Sequence, residues 1–150
     1  MTQPGLALPK KKIVVVEADE DFLHLIRVTL ADCGAELVAA GSGRAGLEVI
    51  RQDHPDLAIL DLALPDMSGW EVFIQLRCNK SEDRTLPVII LADEGTRLER
   101  NFSLRVARVN DYQMKPFLPS RLQQSVKDAL GLCDRQLDET SGRPGKAGRS

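Results

Sequence analysis

Cysteine, histidine and tryptophan are scarce in this 150-residue chain, which has three cysteines, two histidines and one tryptophan. Cys33, Cys78 and Cys133 are odd in number, far apart and without a Cys-x-x-Cys pair. That excludes a disulfide framework or a cysteine zinc site and reads as reduced cytosolic thiols. Long apolar runs are missing too: no segment nears the roughly 20 residues a membrane-spanning helix needs. The apolar stretch in residues 1–9 is too short for a signal peptide, and its lysines follow instead of preceding it. Nor does one sign of charge dominate. A formal net charge of -2 gives no electrostatic case for direct nucleic-acid binding. The expectation is one soluble, cytoplasmic domain large enough for a real core.

What the chain does contain is an alternation of short apolar runs and helical periodicities. Residues 1–10 read as a flexible leader, and Lys10-Lys11-Lys12 solvates the start of the first strand. Ile13-Val14-Val15-Val16 is a continuous β-branched run, as expected of a strand covered on both faces. From Asp21 onward, Phe22, Leu25, Ile26, Thr29, Leu30 and Cys33 recur at helical spacing, with Gly34 as the stop. Glu36 to Ala40 makes a second strand. Ser42 then caps a helix carrying Ala45, Leu47, Val49 and Ile50 that ends before Pro55. Leu57 to Asp61 is a third strand, and Trp70 to Arg77 a third helix with Val72, Phe73 and Leu76 inward. After a polar loop over 79–86, Val88 to Leu91 is a fourth strand, followed by a helix from about Thr96 to Arg108. Asp111 to Lys115 is the fifth strand, and Pro119 opens a last helix with Leu122, Val126, Ala129 and Leu130 inward. Beyond Gly131 periodicity stops, so 11–131 reads as the domain and 132–150 as a disordered tail.

Right-handed crossovers and helices on both faces turn this order into a doubly wound, five-stranded parallel sheet. The predicted class is a three-layer α/β/α fold in flavodoxin-like (βα)5 order, with its chemistry at the carboxyl ends of the strands. Three ends stand out. The first strand runs into Glu17-Ala18-Asp19-Glu20-Asp21, the third ends in Asp61, and the fifth ends in Lys115-Pro116. Converging carboxylates make an oxygen-rich site suited to Mg²⁺, and an opposed lysine can neutralise a phosphoryl group. Such a site suits phosphoryl transfer onto a carboxylate. Taken singly, an acidic run at a helix start is ordinary capping, and a Lys-Pro step is ordinary loop chemistry. Asp61 has no comparable structural explanation, because it closes a buried apolar strand.

The segment Leu60-Asp61-Leu62-Ala63-Leu64-Pro65-Asp66-Met67-Ser68-Gly69 resembles the phosphoacceptor segment of bacterial response-regulator receiver domains. The resemblance covers about residues 11–131. It implies that Asp61 accepts a phosphoryl group from a histidine kinase or phosphotransfer protein. It also implies that Lys115 pairs with that phosphate, next to a cis bond to Pro116, and that Tyr112 is the aromatic switch residue. Mg²⁺ would be held by Glu17, commonly through water, by Asp61 and by the backbone carbonyl of Ala63.

Two positions depart from the family pattern, and both lose polar atoms. Ala18 stands where a directly coordinating aspartate is expected, which should weaken Mg²⁺; Asp19, the next residue, is a possible replacement ligand. Ala92 stands where a Thr or Ser hydroxyl would bond the phosphoryl group, a contact worth roughly 1.5–3 kcal/mol. Its loss also removes the contact through which phosphorylation would bias Tyr112 between two states. A smaller departure is Arg108, near a position that usually holds glycine.

Arg97, Arg100, Arg105 and Arg108 share an arc of the fourth helix, most simply a solvated face. The resemblance implies an output surface made of the fourth helix, fifth strand and fifth helix, and an acidic protein partner would fit the arginines. Too few residues follow Gly131 for a DNA-binding or catalytic output domain. The leading expectation is therefore a single-domain, non-enzymatic phosphorelay receiver that signals through protein contact. The alternative is a phosphorylation-independent interaction module that kept the fold and lost the switch. A flavin site is disfavoured because Glu17 to Asp21 would repel the cofactor phosphate. A haloacid-type phosphatase would want a second aspartate where Ala63 stands.

Overall fold

The computed structural model describes residues 10–78, 85–93 and 109–131. Its strands are β1 (Lys11–Val16), β2 (Ala35–Ala40), β3 (Leu57–Asp61), β4 (Val88–Ala92) and β5 (Asp111–Met114). They form one five-stranded sheet in the order β2-β1-β3-β4-β5, and every pairing is parallel. Among the described residues the helices are α1 (Glu20–Thr29), α2 (Gly43–Asp53), α3 (Gly69–Cys78) and α4 (Pro119–Leu130). This is the doubly wound, flavodoxin-like order that the alternation predicts. The chain runs outward from β1 to β2, then returns to β3 on the other side. The switch point between β1 and β3 is where such sheets open a binding crevice. The expected helix over 96–108, with Arg97, Arg100, Arg105 and Arg108, lies outside the described residues. So do 1–9 and 132–150.

Successive strand residues point to opposite faces, and this divides the core in two. Ile13, Val15, Ile59 and Leu91 pack with Ile26, Leu30, Leu122 and Val126, on the side of α1 and α4. Val14, Val16, Leu60 and Ile90 pack with Leu47, Ile50, Phe73 and Leu76, on the side of α2 and α3. All five residues of β3 are buried, Asp61 included. Full burial of each Val, Leu or Ile side chain contributes about 1.5–3 kcal/mol. Leu57, Ile59 and Leu60 together thus offset the several kcal/mol of withdrawing one carboxylate from water. A continuous apolar strand is what allows an acid to be carried inward.

Local chemistry sets most helix ends. Ser42 Oγ accepts from Ala45 N at 3.1 Å and caps α2. His54 turns left-handed at φ 47° and closes α2 just before Pro55, which disfavours helix in the residue ahead of it. Pro119 occupies the first turn of α4, and Gly131 closes it at φ 73°. α1 ends earlier than the sequence suggests, with Leu30 as its cap in place of Gly34. There the helix tightens, with Ala31 N bonding Val28 O and Cys33 N bonding Leu30 O. Gly34, at φ 73°, makes the turn into β2 instead. Leu25, expected inward, is 37% exposed at the rim of the helix.

Candidate functional site

Glu17 follows β1 directly, and the ladder extends to it: its N–H donates to Ala40 O at 2.9 Å. Its carboxylate is buried, with Oε2 accepting from Asp19 N at 3.0 Å. Ala18 is exposed between them. Asp19 caps α1, its Oδ1 accepting from Asp21 N at 2.9 Å and Phe22 N at 3.3 Å. Asp19 borders the same cleft, yet these hydrogen bonds commit that oxygen to the helix end.

Asp61 closes β3, and Leu62 N continues the ladder to Leu91 O at 3.0 Å. Asp61 Oδ1 accepts from Ala63 N at 3.2 Å, which folds the following loop back over the carboxylate. Gly69 N bonds Leu62 O at 3.1 Å and closes that loop. A Cβ at Gly69 would lie 2.4 Å from Asp61 O, so only glycine permits this approach. The far side of the loop is tied to α2: Asp66 accepts from Gly43 N at 2.8 Å and Arg44 N at 3.0 Å. Those backbone donors, Arg44 before Gly43, hold the Asp66 carboxyl below its ordinary value.

Lys115 follows β5, its N–H donating to Ala92 O at 2.6 Å, and its bond to Pro116 is cis. Its ammonium reaches both acids, 3.0 Å from Glu17 Oε1 and 3.1 Å from Asp61 Oδ2. The ammonium also lies over the Phe22 ring, 4.2 Å from its centroid. Phe22 in turn meets Phe117, with centroids 6.3 Å apart. Burial, and then the adjoining Asp61 carboxyl, push Glu17 up to about 7. Burial opposes the charge on Lys115 as well, but Glu17 and Asp61 outweigh it and hold the ammonium above the ordinary lysine value.

The structure thus brings Glu17, Asp61 and Lys115 into contact, with Ala18, Asp19 and Ala63 on the same open cleft of about 550 Å³. Ala92 and Tyr112 lie behind it in the core. Ala92 is fully buried, and Tyr112 is 6% exposed, its ring stacked on Trp70 at 6.3 Å and 22°. Trp70 packs in this core and does not line the cleft. The donor set suits a hard cation in kind: two buried carboxylates and a nearby backbone carbonyl, all oxygen. In number it is thin. Ala18 offers no side-chain donor, and among the described residues no group of three or more His, Cys, Asp or Glu is placed to hold a metal.

Three contributors were not legible in the sequence. Phe22 reads as one more apolar residue of α1, and only the fold places its ring against Lys115. Asp66 reads as a turn residue, and nothing local announces its bonds to α2. Asp93 lines the cleft just after β4.

Residues 13–127 match the response regulator receiver domain family. The chain is 32% identical over 120 residues to the alkaline phosphatase synthesis transcriptional regulatory protein PhoP of Bacillus subtilis, covering 80% of this chain and 48% of that protein. It is 31% identical over 130 residues to the DNA-binding response regulator MtrA of Mycolicibacterium paratuberculosis, covering 87% and 56%. The chain spans about half the length of the curated relatives it matches. Among solved structures, a CheY-like response regulator receiver domain protein from Methanospirillum hungatei superposes with a TM-score of 0.73 at 26% identity, covering 85% of this chain and 99% of that one. The strand order, the two acids and lysine at the switch point and the match over 13–127 agree: this chain belongs to the response regulator receiver domains of two-component signalling.

Proposed function

We propose that Asp61 accepts a phosphoryl group from a histidine kinase or phosphotransfer protein, and that the domain signals by binding a partner protein. A carboxylate oxygen of Asp61 attacks phosphorus and the P–N bond of the donor phosphohistidine breaks. The bonding pair returns to the ring nitrogen and an acyl phosphate remains. The observation that carries this reading is the position of Lys115. Its ammonium, 3.1 Å from Asp61 Oδ2, stands where charge develops on the transferred group. Glu17, Asp61 and the Ala63 carbonyl are the residues that would hold Mg²⁺, which when bound offsets phosphoryl charge. With Ala18 contributing nothing, that hold is weak. Lys115 already pairs with both carboxylates, so a metal must compete with a resident cation.

A second reading has its own support. Ala92 supplies no hydroxyl, and Tyr112 is buried with its ring stacked on Trp70. On this reading Asp61 takes up no phosphoryl group and the domain binds its partner in one fixed state. Intact mass after treatment with a small phosphodonor separates the two, with and without Mg²⁺ and beside Asp61→Asn. An adduct that requires Asp61 supports the receiver. Its absence at short, acid-quenched times supports the fixed module.

A further inference from the structure

Lys115 has more holding it than the two acids. Its ammonium sits over the face of Phe22, and Phe117 backs that ring from the loop beyond Pro116. From the geometry we infer that Phe22 is a positioning residue: its ring face holds the Lys115 ammonium at Asp61, and an apolar side chain of similar size does not replace it. The inference rests on the reading of Asp61 as phosphoacceptor for its kinetic consequence, but not for the contact itself.

Three observations converge on it. A lysine side chain is a flexible stem ending in a point charge, so two carboxylates on one side leave its approach underdetermined. A third contact from another direction fixes it, and an aromatic face attracts a cation within about 6 Å. The 4.2 Å separation is well inside that limit. The setting strengthens the attraction, because the Lys115 side chain is only 10% exposed and little water competes. Ala18 contributes by its smallness. It lines the cleft beside Phe22 without bringing a charge of its own to Lys115, while Asp19 spends its Oδ1 on the helix end.

Phe22 also joins two elements that the site needs in register. It stands in the first turn of α1, two residues after the helix begins, and Phe117 precedes α4. The two rings, 6.3 Å apart and tilted at 49°, link the first turn of α1 to the segment that follows Pro116. A purely space-filling role would need apolar volume there and nothing more. A cation-holding role needs the π face.

The test uses the whole chain and two substitutions, Phe22→Leu and Phe22→Tyr. The first readout is the proton shift of the Lys115 ε-methylene, which a ring face displaces upfield. It should be displaced in the unaltered chain and in Phe22→Tyr, and return to the ordinary lysine position in Phe22→Leu. The second readout is the rate of phosphoryl adduct formation with acetyl phosphate. Phe22→Leu should slow it roughly 3- to 10-fold, with Phe22→Tyr within twofold of the unaltered chain. An ordinary ε-methylene shift in the unaltered chain overturns the inference, as do equal adduct rates for the two variants. If the unaltered chain forms no adduct, the phosphoacceptor reading fails and the methylene shift alone decides the role of Phe22. If Phe22→Leu folds poorly, Phe22→Met takes its place with the same expectations.

Discussion

Replacing Glu17 by glutamine removes one of two negative charges held against a single lysine. In the folded protein Glu17 titrates at about 7, against an ordinary value of 4.5. Burial is the main cause and the Asp61 carboxyl the next. A carboxyl with a raised folded value stabilises the fold below its unfolded value. That contribution is lost as pH climbs from 4.5 through about 7, and above this range the cost is constant. At about 1.36 kcal/mol per pH unit, the full cost of the ionised group comes to roughly 3 kcal/mol. That figure already includes the attraction of Lys115, which lowers the value; glutamine escapes the cost, and Lys115 keeps Asp61 at 3.1 Å. The gain expected of Glu17→Gln is therefore roughly 2–3 kcal/mol at pH 8, and near zero at pH 4.5. Urea unfolding of both proteins in chelator-treated buffer, at four pH values from 4.5 to 8, measures it directly. A variant no more stable than the parent at pH 8, or a gap that does not change with pH, refutes the argument that the site is overcharged.

Three further outcomes follow from the same geometry. Ala18→Asp places a carboxylate on the exposed rim of the cleft, so calorimetric titration should show tighter Mg²⁺ binding and adduct formation should speed up; unchanged affinity means the metal does not sit here. Gly69→Ala forces a Cβ to 2.4 Å from the Asp61 carbonyl oxygen. It should cost about 1–3 kcal/mol in thermal unfolding and slow adduct formation, whereas an unchanged melting temperature would show that the loop gives way freely. Asp66 titrates below its ordinary 3.8 when folded, so its contribution is present above that value and lost as pH falls through the folded one. Asp66→Ala should be less stable than the parent at pH 7, with the gap closing in strong acid; a gap independent of pH would point away from the bonds to Gly43 and Arg44.

The order of elements was legible because the inner strands β1, β3 and β4 are largely runs of β-branched or aliphatic residues too short to be anything else, bounded by turn residues. Ile13 to Val16 and Leu57 to Asp61 illustrate it. The site was legible wherever position along a strand fixes a residue in space: Glu17, Asp61 and Lys115 each fall at a strand end, and parallel register brings those ends together. What depends on side-chain direction was hidden. The same spacing that makes Phe22 apolar face helix also points its ring at Lys115, and no periodicity distinguishes the two. Asp19 could equally have reached a metal or the end of its own helix, and the hydrogen bonds from Asp21 and Phe22 show the second. The end of α1 was misjudged because Gly34 is a good stop, whereas the helix tightens first at the buried Leu30.

The backbone ladder of the sheet continues one step past β1, β3 and β5, through Glu17 N to Ala40 O, Leu62 N to Leu91 O and Lys115 N to Ala92 O. None of these bonds involves a side chain of the cleft. Scaffold and reactivity are therefore written in different atoms of the same short stretches. The side chains of Ala18 and Ala92 take part in none of the bonds that hold these strand ends in place. The same separation lets reactivity be added one side chain at a time, at strand ends that the backbone alone holds together.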